Sequence, residues 1–462
     1  MKNQTNAAQA ENPLGTAPVG SLITKFAIPA IISMLVSALY NIVDQIFIGQ
    51  GVGMLGNAAT NIAFPVTIIS TAAALLLGIG SASNYNLEMG AGNEKKASSI
   101  AGTGLSTLII SGTILSVIVL LFLKPLLHFF GGTPDVMPYA IDYIGITAIG
   151  LPFYVLSTGG NHLIRADRSP TYSMACILAG AAINTILDPL FIFGFGWGIK
   201  GAAWATVIGQ IVSGLLIIFY FSRLRKMYLD HSMLIPKARN LSAIFSLGMA
   251  SFINQVAIAA VQIVMNNTLR HYGALSAYGS DIPIACAGII SKVNQVFMAI
   301  CIGISQGSQP ILGFNYGAEK YSRVRQTYRY SVTLCTVIAT IFFICFQFFP
   351  HQIVGIFGNG SDLYFHFAEK YLRIFMLMTF ANGIQPMSAC FFTSIGKARL
   401  GVIMSLTRQV LFLLPLIVIF PVFFGIDGVM YAGPIADTSA FVLAVVFARR
   451  ELGVMKAAEQ NA

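Results

Sequence analysis

Long apolar stretches alternate with short polar segments along almost the whole chain. A helix that crosses the ~30 Å hydrocarbon layer of a membrane needs about 20 apolar residues. Because lipid offers no hydrogen-bond partners to a backbone, each apolar stretch of this length predicts a transmembrane helix. Twelve are predicted, near residues 22–48, 57–83, 98–122, 139–163, 172–194, 201–221, 241–269, 283–312, 327–349, 367–394, 401–424 and 428–448.

An internal repeat divides these helices into two sets of six. GIGSASNYNLEMGAGNEKK, from Gly78, matches GISQGSQPILGFNYGAEKY, from Gly303, 225 residues later. An even number of crossings per half predicts an all-α polytopic protein of two parallel six-helix bundles, related by a pseudo-two-fold axis along the membrane normal. Such repeats are typical of alternating-access transporters, although a duplication without transport is the alternative. The predicted sections are a disordered cytoplasmic tail (1–20), an N-lobe (21–221), a cytoplasmic linker (222–240), a C-lobe (241–448) and a cytoplasmic C-tail (449–462).

Composition and charge fit a membrane protein. The chain is 56% hydrophobic and 10% charged, whereas soluble domains carry roughly 25% charged residues. Most Lys and Arg residues lie in the N-tail, the even-numbered loops and the C-tail, which predicts that both termini are cytoplasmic. The net charge of +10 is therefore a matter of topology and needs no nucleic-acid partner. All six cysteines lie within apolar segments, so no disulfide and no metal cluster is expected.

Two acidic residues, Asp44 and Asp188, lie within predicted helices of the N-lobe. A carboxylate in hydrocarbon is expensive unless it is partnered, and intramembrane acids commonly mark ion pathways. Asn184, one turn before Asp188, and Thr206 of the sixth helix are predicted at a similar depth. Their oxygens could bind Na⁺ or relay a proton. The alternatives are that Asp188 only caps or bends its helix, that Asp44 lies in reach of water, and that Asn184 and Thr206 only join helices.

The first helix also contains Pro29, which predicts a kink because proline lacks an N–H and its ring clashes with the preceding turn. Our hypothesis is that an ion bound at Asp44 and Asp188 changes the packing of this helix and drives substrate release. Pro29 is then a hinge; a passive kink is the alternative.

The C-lobe has no copy of the acidic pair, since Asp188 aligns with Leu414 in the repeat. Three other charged residues, Lys292, Arg408 and Asp437, lie within its helices. Unpaired charges are rare in lipid, so a buried pair of Asp437 with Lys292 or with Arg408 is predicted. A direct role of these charges in substrate or ion handling is the alternative.

The chain resembles the multidrug and toxic compound extrusion (MATE) transporters over nearly its whole length. The matching strings are PAIISMLVSALYNIVDQIFIGQ, RADRSP, NTILDPLFIFGFGWGIKGAAWATVIGQ, GISQGSQPILGFNYGAEKYSRVR and PIAD. The resemblance implies two six-helix lobes around a central cavity, and efflux of amphipathic, often cationic compounds in exchange for H⁺ or Na⁺. It also implies that Asp44, Asn184, Asp188 and Thr206 form the ion site, with Tyr40 as a neighbour. Tyr143, at a matching depth in the fourth helix, is a weaker candidate.

Three other functions are weighed against efflux. A lipid-linked oligosaccharide or polyprenyl-phosphate flippase of the same superfamily should present several cations to the phosphates, and only Lys292 and Arg408 qualify. An intramembrane enzyme needs a nucleophile with a base or a metal triad. The sequence has no HExxH string, and its one GxSxG match, GISQG at 303–307, lies inside a predicted transmembrane helix rather than at a strand-to-helix turn. A glycine-lined channel fits the repeat less well. We therefore expect a monomeric transporter of small molecules in the bacterial inner membrane, without a cofactor other than its coupling ion.

Overall fold

The computed structural model describes residues 12–279, 281–357 and 361–460. Within these ranges, eleven single helices and one bent pair are long and apolar enough to cross a membrane. The prediction of an all-α polytopic fold with twelve spans is confirmed. The spans are α1 Val19–Gly51, α2 Met54–Gly90, α3 Glu94–Leu121, α4 Met137–Ala166, α5 Pro170–Gly194, α6 Gly198–Leu224, α7 Ala238–Ala274, α8 Asp281–Gly317, α9 Tyr321–Phe348, α10 Asp362–Phe375 with Thr379–Ser394, α11 Ala398–Phe424 and α12 Asp427–Gln460.

The tenth span is bent, although the sequence predicts one straight helix. Its two parts meet at 48°. At the break the Thr379 hydroxyl donates to the Met376 carbonyl at 2.6 Å, and the Thr379 N–H bonds to the same carbonyl. These bonds to the third preceding residue replace the regular helical pattern, so the helix turns at this point.

The prediction of a disordered tail over residues 1–20 is wrong from residue 12 onward. Pro13–Thr16 form a helical turn, and the Asn12 side chain caps it by accepting the Leu14 N–H at 3.1 Å. Leu14 is only 2% exposed. Residues 1–11 lie outside the described part of the chain.

Side chains of the C-lobe hold this turn in place. Asn315 Nδ2 donates to the Leu14 carbonyl at 2.9 Å, and Lys320 Nζ donates to the Gly15 carbonyl at 3.0 Å. The Arg323 guanidinium also donates to the Leu14 carbonyl, at 3.1 Å. Because the partners come from α8, α9 and the turn between them, the segment around Leu14 is bound to the second lobe.

The predicted linker and C-tail are shorter than expected. Helix α6 extends to Leu224 and α7 begins at Ala238, so the connection between the lobes spans residues 225–237. Helix α12 continues to Gln460, where the sequence predicts a tail after 448. Its extension is held by an ion pair of Glu451 with Lys397 at 2.6 Å. We call the end of the molecule that carries residues 225–237 the linker end, and the opposite end the far end.

The lobes meet through close backbone contacts of α2 with α7 and of α1 with α8. A Cβ on Gly80 would lie 2.1 Å from the Ile244 carbonyl oxygen, and one on Gly248 would lie 1.8 Å from that of Leu76. Only glycine, which has no Cβ, permits such an approach. On α8, Gly303 packs in the same way against Ile31 of α1.

Polar contacts between the lobes lie at the linker end as well. Gln309 Nε2 donates to Ser83 Oγ at 2.8 Å, and Asn84 Nδ2 donates to the Ala243 carbonyl at 2.9 Å. Buried Arg165 donates to Gln306 Oε1 at 3.0 Å. These bonds and the glycine contacts close the interface between the lobes at the linker end.

Helix α1 is shared between the two lobes. Near its start, Phe26 and Ala27 belong to the hydrophobic core of the C-lobe. Near its end, Ile48 packs with Ile192 and Ile199 of the N-lobe. A displacement at one end of α1 can therefore be transmitted to both lobes.

Candidate ion-binding site

The α5–α6 hairpin positions the end of α1 at the far end of the N-lobe. Ile48 is fully buried against Ile192 and Ile199, and the ring of Phe47 meets that of Phe193 edge-on at 6.4 Å. Leu190–Gly194 complete α5 as a π-helical turn directly after Pro189. Such wider turns are frequent at functional sites, and here the turn begins two residues after Asp188.

Asp44 and Asp188 meet inside this arrangement. Asp188 is fully buried and Asp44 is 9% exposed. Their carboxyl groups lie within hydrogen-bond reach of each other. Two carboxylates at this separation repel each other, and a proton or a cation between them removes the repulsion.

Asn184 and Thr206 complete the site, as the sequence predicts. Asn184 Nδ2 lies 3.5 Å from Asp188 Oδ1 and 3.4 Å from Thr206 Oγ1. One turn of helix separates Asn184 from Asp188, so both side chains point to the same side of α5. The structure thus brings the four predicted residues together from α1, α5 and α6.

Three oxygens at the site are buried and lack a hydrogen-bond partner: Asp44 Oδ1, Asp188 Oδ2 and Asn184 Oδ1. Buried oxygens are nearly always satisfied, so three unsatisfied oxygens in one place call for an explanation. Carboxylate, amide and hydroxyl oxygens are the ligands of hard cations such as Na⁺. The same oxygens could also hold a proton between the two carboxyl groups.

The two predicted tyrosines flank the acids. The Tyr143 hydroxyl lies within hydrogen-bond reach of Thr206, and the Tyr40 hydroxyl within reach of Asn41. Both rings are close enough to interact electrostatically with Asp44 and Asp188. Tyr143, ranked below Tyr40 from the sequence, is therefore the tyrosine nearer to a predicted member of the site, Thr206.

An apolar cavity of about 340 Å³ opens beside the site, between α1 and α5. Tyr40 lies in its wall, together with Leu39 and Ile186. Leu39 is 52% exposed and Ile186 is 66% exposed. Tyr40 therefore belongs both to the surroundings of the two acids and to the wall of this apolar cavity.

Helix α1 continues through Pro29 without a break. Pro29 is buried, and its carbonyl accepts a hydrogen bond from the Ser33 hydroxyl at 2.7 Å. This bond does not replace the one that proline cannot donate to the Lys25 carbonyl, and hydroxyl back-bonding of this kind tends to bend a helix. The role of Pro29 as a hinge stays a prediction.

The charges of the C-lobe form a different kind of site. Asp437 is 2% exposed, and its two oxygens accept from Arg408 Nε at 2.5 Å and from Asn382 Nδ2 at 2.8 Å. A π-helical turn over Thr407–Leu413 carries Arg408 to this position. Of the two partners that the sequence leaves open for Asp437, the structure selects Arg408.

Lys292 is not a buried charge, contrary to the prediction. Its side chain is exposed, and in the described part of the chain it forms no ion pair. It lies on α8, eleven residues from the first residue of that helix. The misprediction arises because helix depth can be read from a sequence, whereas the direction of a side chain depends on packing.

The sequence interpretation also missed a buried polar cluster at the linker end of α4. It assigned Arg165 to a cytoplasmic loop, yet Arg165 is 2% exposed and contacts His162 Nδ1 at 3.0 Å. Nearby Asp167 accepts bonds from the Tyr220 hydroxyl and the Lys226 backbone N–H. The RADRSP string carries this cluster, and its density of charge at a helix end was the available signal.

The comparison with protein families identifies the chain. The MatE family pattern matches residues 29–190 and 272–419, which together make up more than half of the sequence. The chain belongs to the MatE family. This confirms the resemblance to MATE transporters and identifies a multi-pass membrane transporter rather than an enzyme.

Individual relatives agree with the family assignment. Multidrug export protein MepA of Staphylococcus aureus (strain MSSA476) is 26% identical over 431 residues, 93% of each chain. MepA of Staphylococcus haemolyticus (strain JCSC1435) is 27% identical over 426 residues, 91% of each chain. In fold, the chain is similar to an outward-facing multidrug resistance MATE family transporter of the MOP superfamily, with a TM-score of 0.88 and 22% identity over 98% of both chains. It is also similar to a MATE structure in the straight conformation, with a TM-score of 0.89, 22% identity, and coverage of 96% of this chain and 98% of that one.

Proposed function

We propose that this MatE protein is a multidrug efflux antiporter. It exports amphipathic, often cationic compounds by alternating access and takes up H⁺ or Na⁺ in exchange at the acidic site of the N-lobe. The two relatives that match 93% and 91% of its length carry the name multidrug export protein, which supports this substrate range.

One observation carries the proposal of ion coupling: two facing buried carboxyl groups with unsatisfied oxygens. Asp44 and Asp188 each have a buried oxygen without a partner, and so does Asn184. A purely structural acid would be expected to acquire a partner, because an unpaired buried charge destabilises the protein. An exchangeable ion instead requires a site that is incomplete without it.

Helix α1, which packs in both lobes, couples ion binding to substrate release. Asp44 lies 17 residues after Ala27, roughly 26 Å along the helix. A Cβ on Gly307 of the C-lobe would lie 2.6 Å from the Ala27 Cα. An ion that draws Asp44 towards Asp188 shifts the far part of α1, and the tight contact with α8 passes the shift to the other lobe.

The proposed orientation places both termini and the linker end in the cytoplasm of a bacterial cell, with the protein in the inner membrane. The concentration of Lys and Arg in the linker-end loops supports it. In this orientation the closed linker end faces the cytoplasm, and the ion site lies near the outer surface, where external H⁺ or Na⁺ is available.

Dye accumulation in inverted membrane vesicles tests the proposal. With a pH gradient or a sodium gradient imposed, vesicles that contain the wild type should accumulate a cationic dye, and Asp44→Asn vesicles should not. An Asp142→Asn variant is the matched control, because this acid also lies in an N-lobe helix but pairs with Lys200 near the surface. Equal accumulation by Asp44→Asn and the control under both gradients would refute ion coupling at this site.

A further inference from the structure

The segment that joins the lobes has an inner and an outer face. We call residues 223–239, which comprise the end of α6, the connection and the start of α7, the interlobe strap. Met227 and Leu229 are buried in the hydrophobic core of the N-lobe. Tyr228 between them is 67% exposed, and Leu224 and Ile235 are 45% and 65% exposed. Large apolar side chains exposed so close together in sequence indicate a surface that contacts a partner or lipid rather than water.

The contact of the strap with α3 gives its depth in the membrane. A Cβ on Gly102 of α3 would lie 2.4 Å from the Met233 carbonyl oxygen. Residues 97–121 of α3 carry no charged side chain and extend over about 38 Å, close to the ~40 Å of a bilayer with its headgroup layers. Gly102 lies about 8 Å from the start of this uncharged stretch. Met233 is therefore at the level where the headgroups meet the hydrocarbon.

The same contact places the strap on the lipid side of the N-lobe. Ile109, Thr113 and Leu120 follow Gly102 at intervals of about two, three and five helical turns, so they share its face of α3. All three are exposed, and every other exposed residue within 97–121 is Ile, Val or Leu. An exposed face of this composition on a transmembrane helix is in contact with lipid. The strap therefore covers the linker end of a face that is open to lipid along the rest of α3.

Cations border the exposed apolar side chains of the strap. Arg223 lies in the last turn of α6, Lys237 directly precedes α7, and Arg239 lies in its first turn. All three are exposed, and in the described part of the chain none of them forms an ion pair. The single acid of the strap, Asp230, accepts a hydrogen bond from the Ser232 hydroxyl at 2.7 Å. Helix stability does not explain Lys237 and Arg239, because positive charge at the start of a helix opposes the helix dipole.

Membrane topology explains only part of this surface. Retention of basic residues on the cytoplasmic side accounts for the cations. It accounts neither for the exposed apolar side chains between them nor for their position on the lipid side of α3. A phospholipid with an anionic headgroup matches all three features, since its phosphate accepts hydrogen bonds from Arg and Lys and its acyl chains contact apolar side chains.

We propose that the interlobe strap is a binding site for anionic phospholipids of the leaflet at the linker end. The three unpaired cations hold the headgroup phosphate, and the three exposed apolar side chains contact the first carbons of the acyl chains. This contact with the membrane is independent of what the protein exports.

Fluorescence quenching by brominated phospholipids tests the inference. The two natural tryptophans, Trp197 and Trp204, lie near the far end and are replaced by Phe, and Tyr228→Trp introduces a reporter in the strap. The full-length protein is reconstituted in vesicles of phosphatidylglycerol and phosphatidylcholine, with one or the other lipid brominated on the acyl chain close to the headgroup. We expect phosphatidylglycerol to be preferred next to the reporter at least about fivefold, the effect of one contact between a cation and an anionic headgroup.

Two triple variants test the cations. Arg223→Gln/Lys237→Gln/Arg239→Gln should lower the preference for phosphatidylglycerol to below about twofold. Arg223→Lys/Lys237→Arg/Arg239→Lys should retain it, because the charges are kept. An unchanged preference in the Gln variant, or an equal loss in the charge-conserving variant, would overturn the inference.

A control variant separates the strap from the general charge of the linker end. Arg449→Gln/Arg450→Gln/Lys456→Gln also removes three exposed cations, but from the end of α12. We expect the preference at the reporter to be unchanged in this variant. A loss equal to that of the strap variant would assign the effect to net charge and overturn the inference. Equal quenching by the two lipids in the reporter protein, or quenching by neither, would also overturn it.

Discussion

The two lobes each bury acidic side chains among apolar helices, but they treat them in opposite ways. In the C-lobe, Asp437 has Arg408 on one oxygen and Asn382 on the other. In the N-lobe, Asp44 and Asp188 face each other, and each retains a buried oxygen without a partner. A buried acid with a cationic partner is already neutralised, whereas two facing acids without partners are expected to require a proton or a cation.

The same comparison indicates that the two halves of the duplicated fold have different roles. The N-lobe carries the proposed coupling site, and the C-lobe carries a closed ion pair and the exposed cation Lys292. Helix α1 joins them, because it packs in the cores of both lobes.

The largest effect is expected from breaking the C-lobe pair. Arg408→Met leaves the Asp437 carboxylate buried without its cation, which should destabilise the protein by about 3–5 kcal/mol. The double variant Arg408→Met/Asp437→Leu should recover most of that loss. Thermal unfolding in detergent measures both; equal stability of the wild type and Arg408→Met would show that this pair is not structural.

The second effect is expected in transport rather than in stability. Asp188→Asn should reduce gradient-driven dye accumulation at least about tenfold, because the site loses its exchangeable charge. Its unfolding temperature should equal or exceed that of the wild type, since a repulsion between two acids is removed. A large drop in stability would instead assign Asp188 a structural role like that of Asp437.

A smaller effect is expected from the neutral member of the site. Thr206→Val keeps the shape of the side chain but removes the hydroxyl, and should raise the ion concentration at half-maximal transport roughly threefold to tenfold. Thr113→Val is the control, because the Thr113 hydroxyl bonds only within its own helix at 2.8 Å. If the two variants have the same half-maximal ion concentration, the Thr206 hydroxyl does not contribute to the N-lobe site, and the contrast with the C-lobe is weakened.

The smallest effect is expected from the tyrosines. Tyr143→Phe should change the half-maximal ion concentration by about twofold, and more than Tyr40→Phe, because Tyr143 is in reach of Thr206. The double variant Tyr143→Phe/Thr206→Val should then be less than additive. Strict additivity would place Tyr143 outside the site.

The residues of the acidic site were predictable because the signals that mark them are local in the sequence. Asp44 and Asp188 are conspicuous in apolar segments, Asn184 follows from helical periodicity, and the depth of Thr206 follows from the ends of the helices. The number of spans is equally predictable, since it depends on the lengths of apolar stretches.

The features that were mispredicted or left open depend on contacts between distant parts of the chain. Residues near Leu14 are ordered because their carbonyls bind side chains about 300 positions later, such as Asn315 and Arg323. A π-helical turn, which no sequence pattern predicts, places Arg408 next to Asp437. The exposure of Lys292 depends on how its helix packs against its neighbours, which depth along the helix does not give.

The most direct test of the central claim compares the two acidic sites in one transport measurement. Proteoliposomes that contain the wild type, Asp44→Asn/Asp188→Asn or Arg408→Met/Asp437→Leu are given the same inward H⁺ or Na⁺ gradient, and dye movement against its own gradient is recorded. We expect the variant without the N-lobe acids to lose gradient-driven transport and the variant without the C-lobe pair to retain it. Coupled transport that survives in the former and disappears in the latter would contradict the account.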